Sequence, residues 1–180
     1  MLTESLIQTV AILQRTPAVL NSLLRDLPGV WTSTNEGPGT WSAFDVVGHL
    51  IHGERTEWVP RAKMILEFGE TKTFEKFDRT AQEQDSRGKS LDDLLDEFML
   101  ARRTSLNELR ALHITHDHLA RRGRHPAFGS VTLGQLLSTW AAHDLTHFHQ
   151  LSRVMAHQVR EDVGPWTVYL GVMQCAGHRA

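Results

Sequence analysis

TLGQLLSTWAAHDLTHFHQLSRV, residues 132–154, is the stretch on which the reading of the whole chain turns. Leu133, Leu136, Trp140, Leu151 and Val154 recur at the three- and four-residue spacing of one helix face, and the positions that complete this stripe are His143 and His147. Thr132 followed three residues later by Gln135 has the form of a capping box, which starts the helix there. Two imidazoles four residues apart point to the same side and can share one cation. The spacing alone is no evidence, because 11 histidines in 180 residues yield about 0.7 such pairs by chance. Position weighs more: a polar group buried without a partner costs about 1–3 kcal/mol, so something must satisfy both rings.

Upstream, Ser90 opens a helix with Leu91, Leu94, Leu95, Phe98, Leu106 and Leu109 facing inward and Asp92, Asp93, Asp96 and Glu97 near its positive end, stopping near Leu112. Ser42-Ala-Phe-Asp45 caps another, running through Val46, His49, Leu50 and Gly53 toward Phe68, with a bend expected at Pro60. Leu6, Val10, Leu13, Leu20, Leu24 and Leu27 form a first stripe that ends near Pro28 and Gly29. It is interrupted at Pro17, so it is either two helices in line or one kinked helix. Residues 70–89 and 123–130 read as connections, with no strand pattern in either. After Gly164-Pro165 a short helix carries Trp166, Val168, Tyr169, Leu170 and Val172. The expectation is one all-α domain over residues 1–180, a four-helix bundle with a short additional C-terminal helix.

Charge excludes several classes of partner. Lys plus Arg total 19 against 21 Asp plus Glu, a formal net charge of −2, which argues against nucleic acid or an acidic membrane. The short basic clusters Ala101-Arg102-Arg103 and Arg121-Arg122-Gly123-Arg124 read as solvated faces or turns. No apolar run approaches the roughly 18 residues of a membrane span, and Glu4 stands where a signal peptide would carry bases. Cys175 is the single cysteine, which forbids an internal disulfide, reads as a packing residue and, with the rest, suits a cytoplasmic protein.

His49 lies between Val46, Leu50 and Gly53 on the second helix, so a third imidazole can approach the same cavity from a facing rod. Three nitrogens would leave positions open on a divalent cation. The alternative is three core histidines bonded to backbone, carboxylates or water. Neither Glu-x-x-His nor His-Glu-x-x-His occurs, which excludes a di-iron bundle and a zincin. His52, one turn from His49, is the substitute ligand, and His113, His116 and His118 read as solvated. His149 is about 200° around the helix from His147 and should face elsewhere. Asp45, Asp144 and Gln150 are each within a turn of a proposed ligand and are candidates to accept a ring N–H. Asp144 reads equally well as solvent-facing, and Asp45 better as a helix-end acid.

The pattern resembles the DinB-like (DinB/YfiT) superfamily of bacterial metal-binding four-helix bundles. The resemblance is carried by Gly48-His49-Leu50, Gly123-Arg-His-Pro126, Val131-Thr-Leu-Gly-Gln-Leu-Leu137, Thr139-Trp140, His143-Asp-Leu-Thr-His147 with Gln150, and Val163-Gly-Pro-Trp166. It implies a His49, His143 and His147 triad binding zinc or nickel, and frequent homodimers. It also implies chemistry of the thiol-dependent S-transferase, isomerase or metal-hydrolase kind on a small-molecule substrate, with a low-molecular-weight thiol as cosubstrate in the first two. The expected function is an enzyme whose metal activates water or such a thiol, with Asp144 or His52 as candidate proton acceptor. The alternatives are a non-catalytic, stress-related metal and small-ligand binder, and a helix-mediated dimer without metal.

Overall fold

The computed structural model describes residues 4–175, apart from the side chain of Ser5. Four rods run side by side. The first is α1 (Glu4–Leu13) continued by α2 (Thr16–Leu24), and the second is α4 (Ala43–Thr56) continued by α5 (Trp58–Phe68). The third is α7 (Leu91–Ala111) and the fourth is α9 (Leu133–His157), with the one-turn helix α3 (Gly29–Thr32) between the first two rods. Reciprocal capping boxes start three of them, Ser42 with Asp45, Ser90 with Asp93 and Thr132 with Gln135. Both prolines act four residues upstream. Pro17 cannot donate to Leu13 nor Pro60 to Thr56, and α1 and α4 end at those residues. The first stripe is thus two helices in line, and the second rod breaks at Glu57 rather than bending at Pro60.

The apolar interior falls into two clusters. One contains Leu6, Val10, Leu13, Trp58, Ile65, Leu106, Leu109, Leu137 and Trp140; the other contains Leu20, Leu24, Val46, Val47, Leu50, Phe98 and Leu151. Every rod passes from one cluster to the other through a buried polar residue: Thr16, Glu54, Arg102 and Asp144, each at most 4% exposed. Arg102 therefore corrects the solvated-cluster reading; only its neighbours Ala101 and Arg103 reach the surface.

The connections are more ordered than their sequences suggest. Residues 122–132 form a hairpin, β1 (Arg122–His125) antiparallel to β2 (Gly129–Thr132), where a plain loop was expected. Gly123 is the buried point of β1: a Cβ there would lie 2.6 Å from Ile65 Cγ1 and 2.9 Å from Phe74 Cζ. Thr73 bridges to Arg124, and the Phe74 N–H donates to the Arg124 carbonyl at 2.9 Å, so the hairpin pins the start of the long connection. That connection also contains α6 (Ala81–Asp85), which packs against α4. A further single turn, α8 (His116–Leu119), precedes the hairpin.

Beyond α9 the expected short helix is replaced by α10 (Arg160–Val163), a 3-10 turn over Gly164–Tyr169 and the single turn α11 (Gly171–Gln174). Cys175 is exposed rather than packed. Among the described residues no helix is long and apolar enough to cross a membrane.

Candidate metal centre

α4 projects His49, and α9 projects His143 and His147, into the space between these rods. His143 Nε2 lies 3.1 Å from the Nε2 of His49 and 3.1 Å from that of His147. One ligand atom from each of the three residues falls within 4.8 Å of the others, and no other such group of His, Cys, Asp or Glu occurs among the described residues. Nitrogens bound tetrahedrally at 2.0–2.1 Å from zinc would be roughly 3.3 Å apart, so this donor set fits a cation held by three imidazoles.

The rings are oriented for that use. Gln150 Oε1 is 2.8 Å from His147 Nδ1, so Nδ1–H donates to the amide oxygen and the Nε2 lone pair faces the cluster. Nδ1 of His49 and of His143 is buried without a protein partner. Aromatic side chains wall the site. Trp41 tilts against His49 with centroids 4.7 Å apart, Phe77 meets His49 edge-on at 5.3 Å, and Trp58 meets His143 at 5.1 Å. Burial in these walls, reinforced by the neighbouring imidazoles and Arg79, pushes the His49 pKa down to about 3. Burial and the same kind of repulsion take His143 to about 2. Burial lowers His147 as well, against the opposing hydrogen bond of Gln150. Three imidazoles that stay neutral with convergent lone pairs are the form in which histidine ligates a metal.

The remaining sequence candidates occupy other places. Asp45 is engaged at the start of α4, its Oδ2 accepting from the Ser42 N–H at 2.9 Å and hydroxyl at 2.6 Å. His52 packs on Phe77 with centroids 5.0 Å apart, and its Nδ1 is 3.8 Å from Asp85 Oδ2. Asp144 is buried at 1% exposure rather than solvent-facing. Arg102 Nη1 reaches its Oδ2 at 2.6 Å, Nη2 its Oδ1 at 2.9 Å, and the Thr16 hydroxyl donates to Oδ2 at 2.5 Å. His149, His113 and His116 are exposed, and His118 Nδ1 accepts the Thr115 N–H.

Sequence reasoning did not find the walls or the buried charges. Phe77 is a partly buried aromatic in a largely polar connection, and Trp41 directly precedes a cap. Arg102 fills the three- and four-residue stripe of Leu95, Phe98, Leu106 and Leu109, a signal hidden by its neighbour Arg103.

A solved structure with the same architecture is that of YfiT from Bacillus subtilis, described as a probable metal-dependent hydrolase with an unusual four-helix bundle topology. It matches with a TM-score of 0.71 at 20% identity, over 90% of this chain and 90% of that one. At that identity the likeness speaks for the fold alone. Among curated proteins no sequence matches significantly. The sequence profile of the DinB superfamily matches residues 12–151, which include all of α4 and α9 as far as Leu151, and the chain belongs to that superfamily.

Proposed function

We propose that this protein is a metal-dependent enzyme of hydrolase type, in which His49, His143 and His147 hold one divalent cation, zinc or nickel. The observation that carries the reading is the convergence of three Nε2 atoms with 3.1 Å contacts and, among the described residues, no fourth His, Cys, Asp or Glu in the group. Three protein ligands leave a position for a reactant, as in catalytic rather than structural zinc sites. Such a cation would supply Lewis acidity, lowering the pKa of a coordinated water toward neutrality and favouring deprotonation of a coordinated thiol. The chain's own contribution is to orient and enclose. Gln150 fixes the His147 ring, while Trp41, Trp58 and Phe77 exclude bulk water from the imidazoles. His52, which shares Phe77 with His49, is the proposed proton acceptor for the small-molecule substrate.

The test is reconstitution. Chelator-stripped protein is expected to hydrolyse members of an ester and amide panel only after zinc or nickel is restored. A parallel arm offers an electrophile with a low-molecular-weight thiol; turnover there and not on the panel would move the assignment to thiol transfer. Stoichiometric metal with turnover in neither arm would leave a metal-dependent binding protein, and no metal uptake would refute the site.

A further inference from the structure

Metal–ligand distances tolerate errors of about 0.2 Å, yet the three imidazoles stand on separate rods, α4 and α9. Apolar packing on either side of the site is non-directional and permits rods to slide. What fixes them is the buried charge layer. From α7, which carries no histidine, Arg102 reaches Glu54 on α4 through Nε at 3.0 Å and Nη2 at 2.8 Å. With the same guanidinium it grips both oxygens of Asp144 on α9 at 2.6 and 2.9 Å. Asp144 follows His143 directly, and Glu54 is five residues past His49. The Trp140 indole N–H adds a direct strap from α9 to Glu54 Oε1 at 2.9 Å. Arg102 Nη1 also donates to the Leu13 carbonyl at 2.8 Å, the acceptor that Pro17 leaves without its helical donor. Stability alone does not account for this arrangement, because well-packed apolar residues in place of a buried ion triad are often neutral or stabilising.

We propose that Arg102 is a positioning residue for the metal centre, holding α4 and α9 at the separation and register at which His49 meets His143 and His147. The proposal rests on reading the histidine cluster as a metal centre, and the test keeps the two apart. Cobalt(II) is the probe: titration into chelator-stripped protein against a competing chelator gives the affinity, and visible absorption reports the ligand geometry. Wild type should take up cobalt and His143→Ala should not. Arg102→Lys keeps the charge but loses the planar fork that joins two carboxylates. Its affinity should fall about 10–100-fold, as for other residues that orient metal ligands, with an altered absorption spectrum and unchanged helical circular dichroism. Arg103→Lys, exposed on the same helix, should match wild type. If Arg102→Lys does not fold, the triple variant Glu54→Leu, Arg102→Met, Asp144→Leu strands no charge and takes its place. It should be folded, although the Trp140 N–H and the Leu13 carbonyl lose their partners, and should still bind cobalt more weakly with a changed spectrum. Wild-type affinity and spectrum in whichever variant folds would overturn the positioning role and leave the metal centre standing. No cobalt uptake by wild type would remove both.

Discussion

A metal-ligating imidazole works only if its second nitrogen keeps the proton, and Gln150 does this for His147 at 2.8 Å. Gln150→Leu should therefore weaken metal binding by about 10–100-fold with little change in apo stability, measured by competitive titration. Asp45→Ala should do the reverse, losing about 1 kcal/mol of stability with its cap bonds while metal affinity stays near wild type. An equal loss of affinity in both would show that Gln150 acts through the fold. His143→Ala should abolish binding and His149→Ala, on an exposed side chain, should not. The histidines could be read from sequence because they interrupt a stripe of Leu and Trp at helical spacing. Asp144 and Arg102 could not: no pattern within one helix records that a carboxylate 42 residues away will meet a guanidinium at 2.6 Å.

Between the residue and the molecule, α6 is held on α4 by a close approach at Gly48. A Cβ at that position would stand 2.5 Å from Ser86 Oγ, with the Cβ atoms of Gln82 and Ser86 at 3.7 Å. The one atom in the way is a serine hydroxyl that must rotate aside, so Gly48→Ala should lose up to about 1 kcal/mol through overpacking, although in an open helix the same change would gain close to 1 kcal/mol. Removing the obstructing oxygen should reveal that gain: in a Ser86→Ala background Gly48→Ala should be neutral or stabilising by urea denaturation. An undiminished loss in the double variant would mean that the contact does not set the helix spacing. The rods themselves were legible, since each has a stripe along its length and three of the four have a capping box at the start. The hairpin was not, because its strands are four residues long and the buried position of β1 is Gly123, which contributes no hydrophobic signal. Its shape comes from Ile65 and Phe74, distant in sequence, pressing on a residue without a side chain.

For the molecule as a whole, the neutral imidazole cluster makes the metal-free fold sensitive to acid. His49 and His143 titrate at about 3 and about 2 in the folded state, and His147 is also lowered by burial, against an ordinary value of 6.5. Below pH 6.5 these three rings therefore bind more protons in the unfolded chain than in the native one. The stability these groups contribute is fully present above that pH and is lost as pH falls toward their native values. Each group adds a slope of up to about 1.4 kcal/mol per pH unit. Glu57, whose carboxyl burial raises to about 7 against the pull of Arg61, works the other way, its contribution being present at low pH and lost as pH rises through 7. Glu54 is likewise raised by burial against the pull of Arg102. The net curve thus understates the cluster, and a difference between two proteins isolates it. Between pH 6.5 and 4, chelator-stripped wild type should lose stability more steeply than His143→Leu, by up to about 1.4 kcal/mol per pH unit. Parallel curves from urea denaturation would show that the imidazoles are already solvated in the native state. In that case the aromatic walls would not enclose them, and the dry, low-dielectric setting on which the proposed chemistry depends would be absent.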